Sequence, residues 1–351
     1  MRKVKVILSL LLVSIMITLL CSCGSKDNGK KPVETTKKDD GIKIGMTFDT
    51  FVLERWQYDR DEFVNKAKSL GASVNVQNAN GDAKKQEKQI REFVAEGVDA
   101  IVIVAVDCYH TLDSAIEEAK DHGIKIISYD RLYQTEKSDL FITVDSKQVG
   151  EIMASEMIKS LNSSGIKSGT FAMIEGPKFD TNSSEVNSGF ENTLSRNPSF
   201  KIVWQDSVKG WIPELGGSFT EEILKKYPNI NGIMCANDGL AVNSVKVLSE
   251  HKLAGKVRVV GQDADVEACQ KIVQGTMTAT VYKPIKELAN RAAEYTVDLV
   301  KGKTLDVKNT MTNEVGAIPF VGITPQAVTK KTMQKTIFDS GFHMKEEVYL
   351  K

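Results

Sequence analysis

From Val98 to Arg131 the chain reads VDAIVIVAVDCYHTLDSAIEEAKDHGIKIISYDR. Ala100–Ala105 is an unbroken apolar run, which suits a strand covered on both faces. Leu112–His122 follows with Leu112, Ile116 and Ala119 on one stripe and charges opposite, the period of an amphipathic helix. Gly123 stands where a helix C-cap would, and Lys125–Tyr129 is a second apolar run. Strand, helix and strand at this spacing predict two parallel strands joined by a right-handed crossover.

The same pattern extends in both directions. Upstream lie the runs Ile42–Phe48 and Ser73–Gln77, and downstream Leu140–Val144, Gly169–Ile174, Lys201–Gln205, Gly232–Ala236, Val257–Gly261 and Thr278–Tyr282. Asp59–Leu70 and Gln86–Glu96 carry the helical period, followed by Gly71 and Gly97. About ten such strands are too many for one compact sheet, and 351 residues suit two cores better than one. The expected fold is α/β, with two similar lobes, each a parallel sheet flanked by helices, joined by a multi-strand hinge. The helix Ile285–Val300 is expected to return to the first lobe. The boundaries are set at 41–144 with 283–308 for the first lobe, 145–282 with 309–345 for the second, and 346–351 as a tail.

The N-terminus is of another kind. Arg2, Lys3 and Lys5 precede the apolar run Val6–Leu20, which is short for a spanning helix and reads as an export signal over 1–22. Leu20-Cys21-Ser22-Cys23-Gly24 resembles a bacterial lipobox, which implies acylation of Cys23 and a lipid anchor in the membrane. Residues 23–40 are nearly all polar, small or charged, and are expected to be a flexible tether. The export signal places the protein outside the cell membrane.

Lys plus Arg and Asp plus Glu both number 46, so no global field points to nucleic acid. Cys108, Cys235 and Cys269 are odd in number and lack CxxC spacing, which fits neither a disulfide framework nor a metal cluster. His110, His122, His251 and His343 show no metal-ligand spacing, and no GxSxG elbow or GxGxxG turn follows a strand. No catalytic residue, metal or cofactor is expected.

In open parallel sheets, ligands bind beyond the carboxyl ends of the strands. There the sequence places Arg55 and Trp56, Asp130 and Arg131, Asp180 to Asn182, Trp211, Asn237 and Asp238, Asp263 and Asp265, and Lys283. Indoles can pack on the C–H faces of a pyranose, and forked Asp, Asn and Arg groups can bridge neighbouring hydroxyls. Each has a plainer reading: a surface ion pair for Asp130 and Arg131, helix N-caps for Asn237, Asp238, Asp263 or Asp265, core anchors for the tryptophans, a surface lysine for Lys283. The recurrence at so many strand ends favours a sugar site.

Several segments then fall into a known order: Leu-Glu-Arg-Trp-Gln at 53–57, Gln-Asn-Ala-Asn-Gly at 77–81, Tyr-Asp-Arg at 129–131, Gly-Trp at 210–211, Asn-Asp at 237–238, Gly-Gln-Asp-Ala-Asp at 261–265, Thr-Val-Tyr-Lys-Pro-Ile at 280–285 and Asp-Ser-Gly-Phe-His at 339–343. This order, over about Ile42 to His343, closely resembles the D-xylose-binding proteins of bacterial ABC importers, within the ribose/galactose-type periplasmic binding protein family. The resemblance implies D-xylose or a similar monosaccharide as ligand. It implies contacts from Arg55, Asp130 and Arg131 in the first lobe, Asn182, Asn237 and Asp263 in the second, and Lys283 from a hinge strand, with Trp56 and Trp211 stacking. It implies delivery to an ABC permease by hinge closure; presentation of the closed form to a membrane sensor histidine kinase is the alternative. A transcription regulator on the same core would need an N-terminal helix-turn-helix, where this chain has its signal and tether.

Overall fold

The computed structural model describes residues 41–349. The expected signal segment, the acylated Cys23 and the tether lie outside the described residues.

Strands β1 (Ile42–Phe48), β2 (Ala72–Asn78), β3 (Ala100–Ile103), β4 (Lys125–Tyr129) and β5 (Leu140–Val144) alternate with helices α1 (Arg55–Ser69), α2 (Ala83–Glu96) and α3 (Asp113–Asp121). Every residue of β3 and of β5 is buried, as their unbroken apolar runs require. Helix α2 shows how local signals set the ends. Asp82 accepts hydrogen bonds from the Lys84 and Lys85 amides at its start, and Gly97 closes it in the left-handed conformation at φ 66°. The helix lies directly on β1, where a Cβ on Gly45 would come within 2.5 Å of the Phe93 ring.

The second lobe holds β6 (Gly169–Glu175), β7 (Phe200–Ser207), β8 (Gly232–Cys235) and β9 (Arg258–Val260), parallel in the order β7-β6-β8-β9. A parallel bridge from Val260 to Ala279 leads on to β10 (Thr280–Tyr282). Its helices include α4 (Ser146–Ser163), α5 (Thr181–Ser195), α6 (Glu214–Lys226), α7 (Asp238–Glu250) and α8 (Val266–Gln274). Helix α9 (Ile285–Val300) returns to pack on α1, burying Leu288, Ala289, Ala292, Ala293 and Val297. Cys108, Cys235 and Cys269 are free and buried.

Helices α4 and α5 cross at two glycines. A Cβ on Gly150 would lie 1.9 Å from the Val186 carbonyl oxygen, and one on Gly189 would lie 1.9 Å from that of Lys147. Backbone contact this close brings the N-terminus of α4, just past β5, beside the N-terminus of α5, so that the Ser146 hydroxyl lies 3.0 Å from Asn182 Oδ1.

Two boundaries drawn from the sequence need correction. Residues 309–323 belong to the first lobe: β11 (Asn309–Asn313) pairs antiparallel with β12 (Gly316–Ile323), which pairs parallel with β5. The first sheet therefore runs β11-β12-β5-β4-β3-β1-β2. The outer strand β11 is an exposed edge of mostly polar residues, and β12, though apolar, carries Pro319 and is only partly buried, so neither shows the pattern of a strand covered on both faces. The chain re-enters the second lobe only at β13 (Gln326–Val328), antiparallel to β10. Nor does the tail set at 346–351 begin apart from the fold, because the short helix α10 (Lys345–Val348) buries Val348 in the second-lobe core. The chain thus passes between lobes three times, after β5, after β10 and after β12.

Candidate functional site

The strand ends of the two lobes face one another across a small cavity. On the first-lobe wall, α1 begins with Arg55 and Trp56, both buried, and the Arg55 guanidinium lies over the Trp56 ring at 4.1 Å. Arg55 reaches Asp130 Oδ1 at 2.9 Å and Asp59 Oδ2 at 3.2 Å, and the Tyr129 hydroxyl donates to the other oxygen of Asp59. Asp130 adopts a left-handed φ of 64°, and its amide donates to the Ile142 carbonyl at 2.8 Å. Its neighbour Arg131 points the other way, with Nη1 2.7 Å from Asp49 Oδ2 and 2.6 Å from the Ala105 carbonyl.

The second-lobe wall is built largely from helix starts. Asp180 caps α5 by accepting from the Asn182 amide, and its Oδ2 lies 2.7 Å from Arg131 Nε across the gap. The same oxygen accepts from the Trp211 indole at 3.2 Å. Asn182 Nδ2 donates to the Asp130 carboxylate at 2.8 Å and to its carbonyl at 3.0 Å, again across the lobes. Asn237 caps α7 through the Leu240 amide while lining the cavity, so the plain and the functional readings of this residue hold together. Asp263 sits at φ 104° and meets Lys283 Nζ at 3.0 Å, with Arg55 Nη1 at 3.8 Å. Lys283 is buried and is no surface lysine.

Arg55, Trp56, Asp130, Arg131, Asn182, Trp211, Asn237, Asp263 and Lys283 all line this one small cavity. Asp180, Gln262 and Leu53 complete the lining and were not singled out from the sequence. Asp180 and Gln262 stand inside strand-end segments the sequence marked, but nothing there separates a lining residue from its neighbours. The plainer reading of Asp130 and Arg131 as an exposed ion pair fails, since both are buried and each pairs elsewhere. Trp56 is both a core anchor and a lining residue. A broader hollow lined by Glu221, Lys225, His251 and Leu253 brings together no comparable set of buried polar groups.

The electrostatics differ from group to group. Burial alone would raise the Asp130 carboxyl, but Arg55, then Lys283 and Arg131, hold it below the ordinary carboxylate value. Burial pushes Asp180 and Asp59 up despite their arginine partners. Outside the ion pairs, the lining atoms Trp56 Nε1 and Gln262 Oε1 are buried without a hydrogen-bond partner. An indole N–H, a free amide oxygen and several forked groups around a small space suit a compact molecule rich in hydroxyls, each of which both donates and accepts. Among the described residues, no three His, Cys, Asp or Glu side chains are arranged to hold a metal ion.

Known proteins resemble the chain in sequence and in fold. A family model described as a periplasmic binding protein domain matches residues 44–304. D-xylose-binding periplasmic proteins of Haemophilus influenzae and Escherichia coli are 36% and 37% identical to the chain, each match covering 88% of it and 92% of the relative. The structure of an ABC transporter solute-binding protein from Clostridium phytofermentans, with bound β-D-glucose, matches with a TM-score of 0.78 at 21% identity, over 87% of this chain and 99% of that one. One from Actinobacillus succinogenes, with bound D-allose, matches with a TM-score of 0.74 at 24% identity, over 84% and 99%. At such identities the structural likeness speaks for the fold alone.

Proposed function

Because the chain belongs to the periplasmic binding protein family, we propose that it is an exported receptor that binds D-xylose in the interlobe cavity and hands it to an ABC importer. The family consists of binding proteins and not enzymes, and the fold is the type I arrangement of two α/β lobes. The observation that carries the proposal is the cavity lining, in which forked polar side chains from both lobes and two indoles converge on one small space. The relatives bearing the name D-xylose-binding, more than one third identical along nearly their whole length, favour the pentose.

Sugar capture then proceeds by docking on one lobe and rotation about the three crossings, which brings Arg131 to Asp180 and Asn182 to Asp130. The ligand stabilises the closed form because only there do both walls reach its hydroxyls. Acylation at Cys23 holds the receptor at the outer face of the membrane, near its permease.

Titration calorimetry against D-xylose, D-ribose, L-arabinose and D-glucose tests the ligand. D-xylose is expected to bind most tightly, at one molecule per chain. Absence of binding to every sugar would remove the proposal, and tighter binding of D-glucose would replace its ligand. Cys23→Ala is expected to release the protein from membranes with unchanged sugar affinity; retention on the membrane would overturn the anchor.

A further inference from the structure

Asp263 and Ala264 take left-handed φ values of 104° and 58° in succession, a conformation that side-chain-bearing residues rarely adopt and that persists only where the surroundings impose it. Here the surroundings are specific. The Asp263 amide donates to the Val281 carbonyl at 2.9 Å, and the Ala264 amide to the Thr280 hydroxyl at 3.2 Å. That hydroxyl in turn donates to Asp238 Oδ2 at 2.7 Å, and the same oxygen accepts from the Asp265 amide at 3.0 Å. The Ala264 carbonyl lies 2.7 Å from His343 Nε2, which donates to it.

Asp238 is fully buried at the first position of α7 and lies apart from the cavity lining. Its other oxygen occupies the space left by Gly261, where a Cβ would come within 2.3 Å of it. Burial, followed by the nearby Asp265 and Asp263 carboxylates, pushes the Asp238 carboxyl well above the ordinary range. Both of its hydrogen bonds fall on Oδ2, one from the Asp265 amide and one from the Thr280 hydroxyl.

We propose that Asp238, acting through Thr280, is a positioning residue that holds the Asp263–Ala264 turn left-handed and thereby sets where the Asp263 carboxylate meets the ligand. The inference rests on the sugar-binding reading for the identity of that ligand. Asp263 needs the brace because its direct partners in the cavity, Lys283 and Arg55, lie on other segments and pull the side chain without constraining its backbone.

The test is calorimetry with D-xylose, combined with amide hydrogen exchange at Ala264 and Asp265. Thr280→Val keeps the shape and removes the hydroxyl; it is expected to weaken binding by about tenfold, the effect of one lost buried hydrogen bond, and to speed exchange at Ala264. Thr280→Ser is expected to restore both. Asp238→Asn, which keeps an accepting oxygen, is expected to bind nearly as the wild type, whereas Asp238→Ala does not. In an Asp263→Ala background, Thr280→Val should add no further loss of affinity, because its effect runs through that carboxylate. Wild-type affinity and exchange in a folded Thr280→Val protein would overturn the inference, as would an equal loss with and without Asp263. If the wild type binds no sugar, the functional proposal fails, and unchanged exchange in Thr280→Val and Asp238→Ala still decides against the brace.

Discussion

Two buried acids near the cavity are treated in opposite ways: Asp130, on the first-lobe wall, is surrounded by cations, and Asp238, behind the second-lobe wall, is tied to backbone and a hydroxyl. Asp130 stands beside Arg55, with Lys283 and Arg131 near, and its carboxyl is held low. Asp238, behind the cavity lining of the second lobe, has no cation in contact among the described residues and is pushed up by burial and by neighbouring carboxylates, its bonds going to an amide and a hydroxyl. Burial acts alike on both residues, so the difference comes from what each fold segment delivers to the spot. Strand ends carrying arginines build a charged wall, while helix N-termini and a strained turn build one from dipoles and backbone donors.

The largest effect is expected where the two walls meet. Arg131→Met leaves Asp49 and Asp180 buried without their cation, and breaking such a pair costs about 3–5 kcal/mol. Thermal unfolding should show a clearly lower midpoint and calorimetry a loss of most sugar affinity. An unchanged midpoint would mean that the first wall does not depend on pairing. Asn182→Ala removes the hydrogen bonds to Asp130 across the gap, worth about 1 kcal/mol each. Affinity should fall by roughly thirtyfold with little change in the midpoint, because these bonds form only where the lobes meet.

The smallest effect is in the pH dependence, where the two walls should move in opposite directions. The folded value of Asp130 lies below the ordinary 3.8, so its contribution is complete above 3.8 and is lost as the pH falls through the lowered value. The folded value of Asp238 lies above 3.8, so folding is favoured by its bound proton at acid pH, and that contribution is lost as the pH rises from 3.8 through the raised value. Denaturant unfolding across this range should show that Asp130→Asn flattens the acid loss and that Asp238→Asn flattens the decline on the upper side. If both variants flatten the same limb, the contrast between the walls is wrong.

Much of the framework was legible before any fold was known. The runs Ile42–Phe48, Lys125–Tyr129 and Leu140–Val144 and the helix Ile285–Val300 coincide with the observed elements to the residue, because a strand buried on both faces or a helix with one apolar stripe leaves a periodic record in residue type. The hairpin at 309–323 left a weaker record: its exposed edge strand tolerates Thr and Asn, and the apolar run of its inner strand is interrupted by Pro319, which argues against a strand. At the cavity, the rule that ligands lie beyond strand ends selected the segments, and within them Asp180 and Gln262 were indistinguishable from loop residues.

The sequence by itself determined which segments are strands and helices and which side-chain chemistries stand at the strand ends, since both depend on near neighbours in the chain. Tertiary structure alone decided that Arg131 meets Asp180, that Asn182 meets Asp130, and that Asp238 braces a turn it precedes by 25 residues. Such pairings are set by how α4 crosses α5 at Gly150 and Gly189 and by where the chain passes between lobes. Distances between groups remote in sequence follow from packing, which no local pattern of residues encodes.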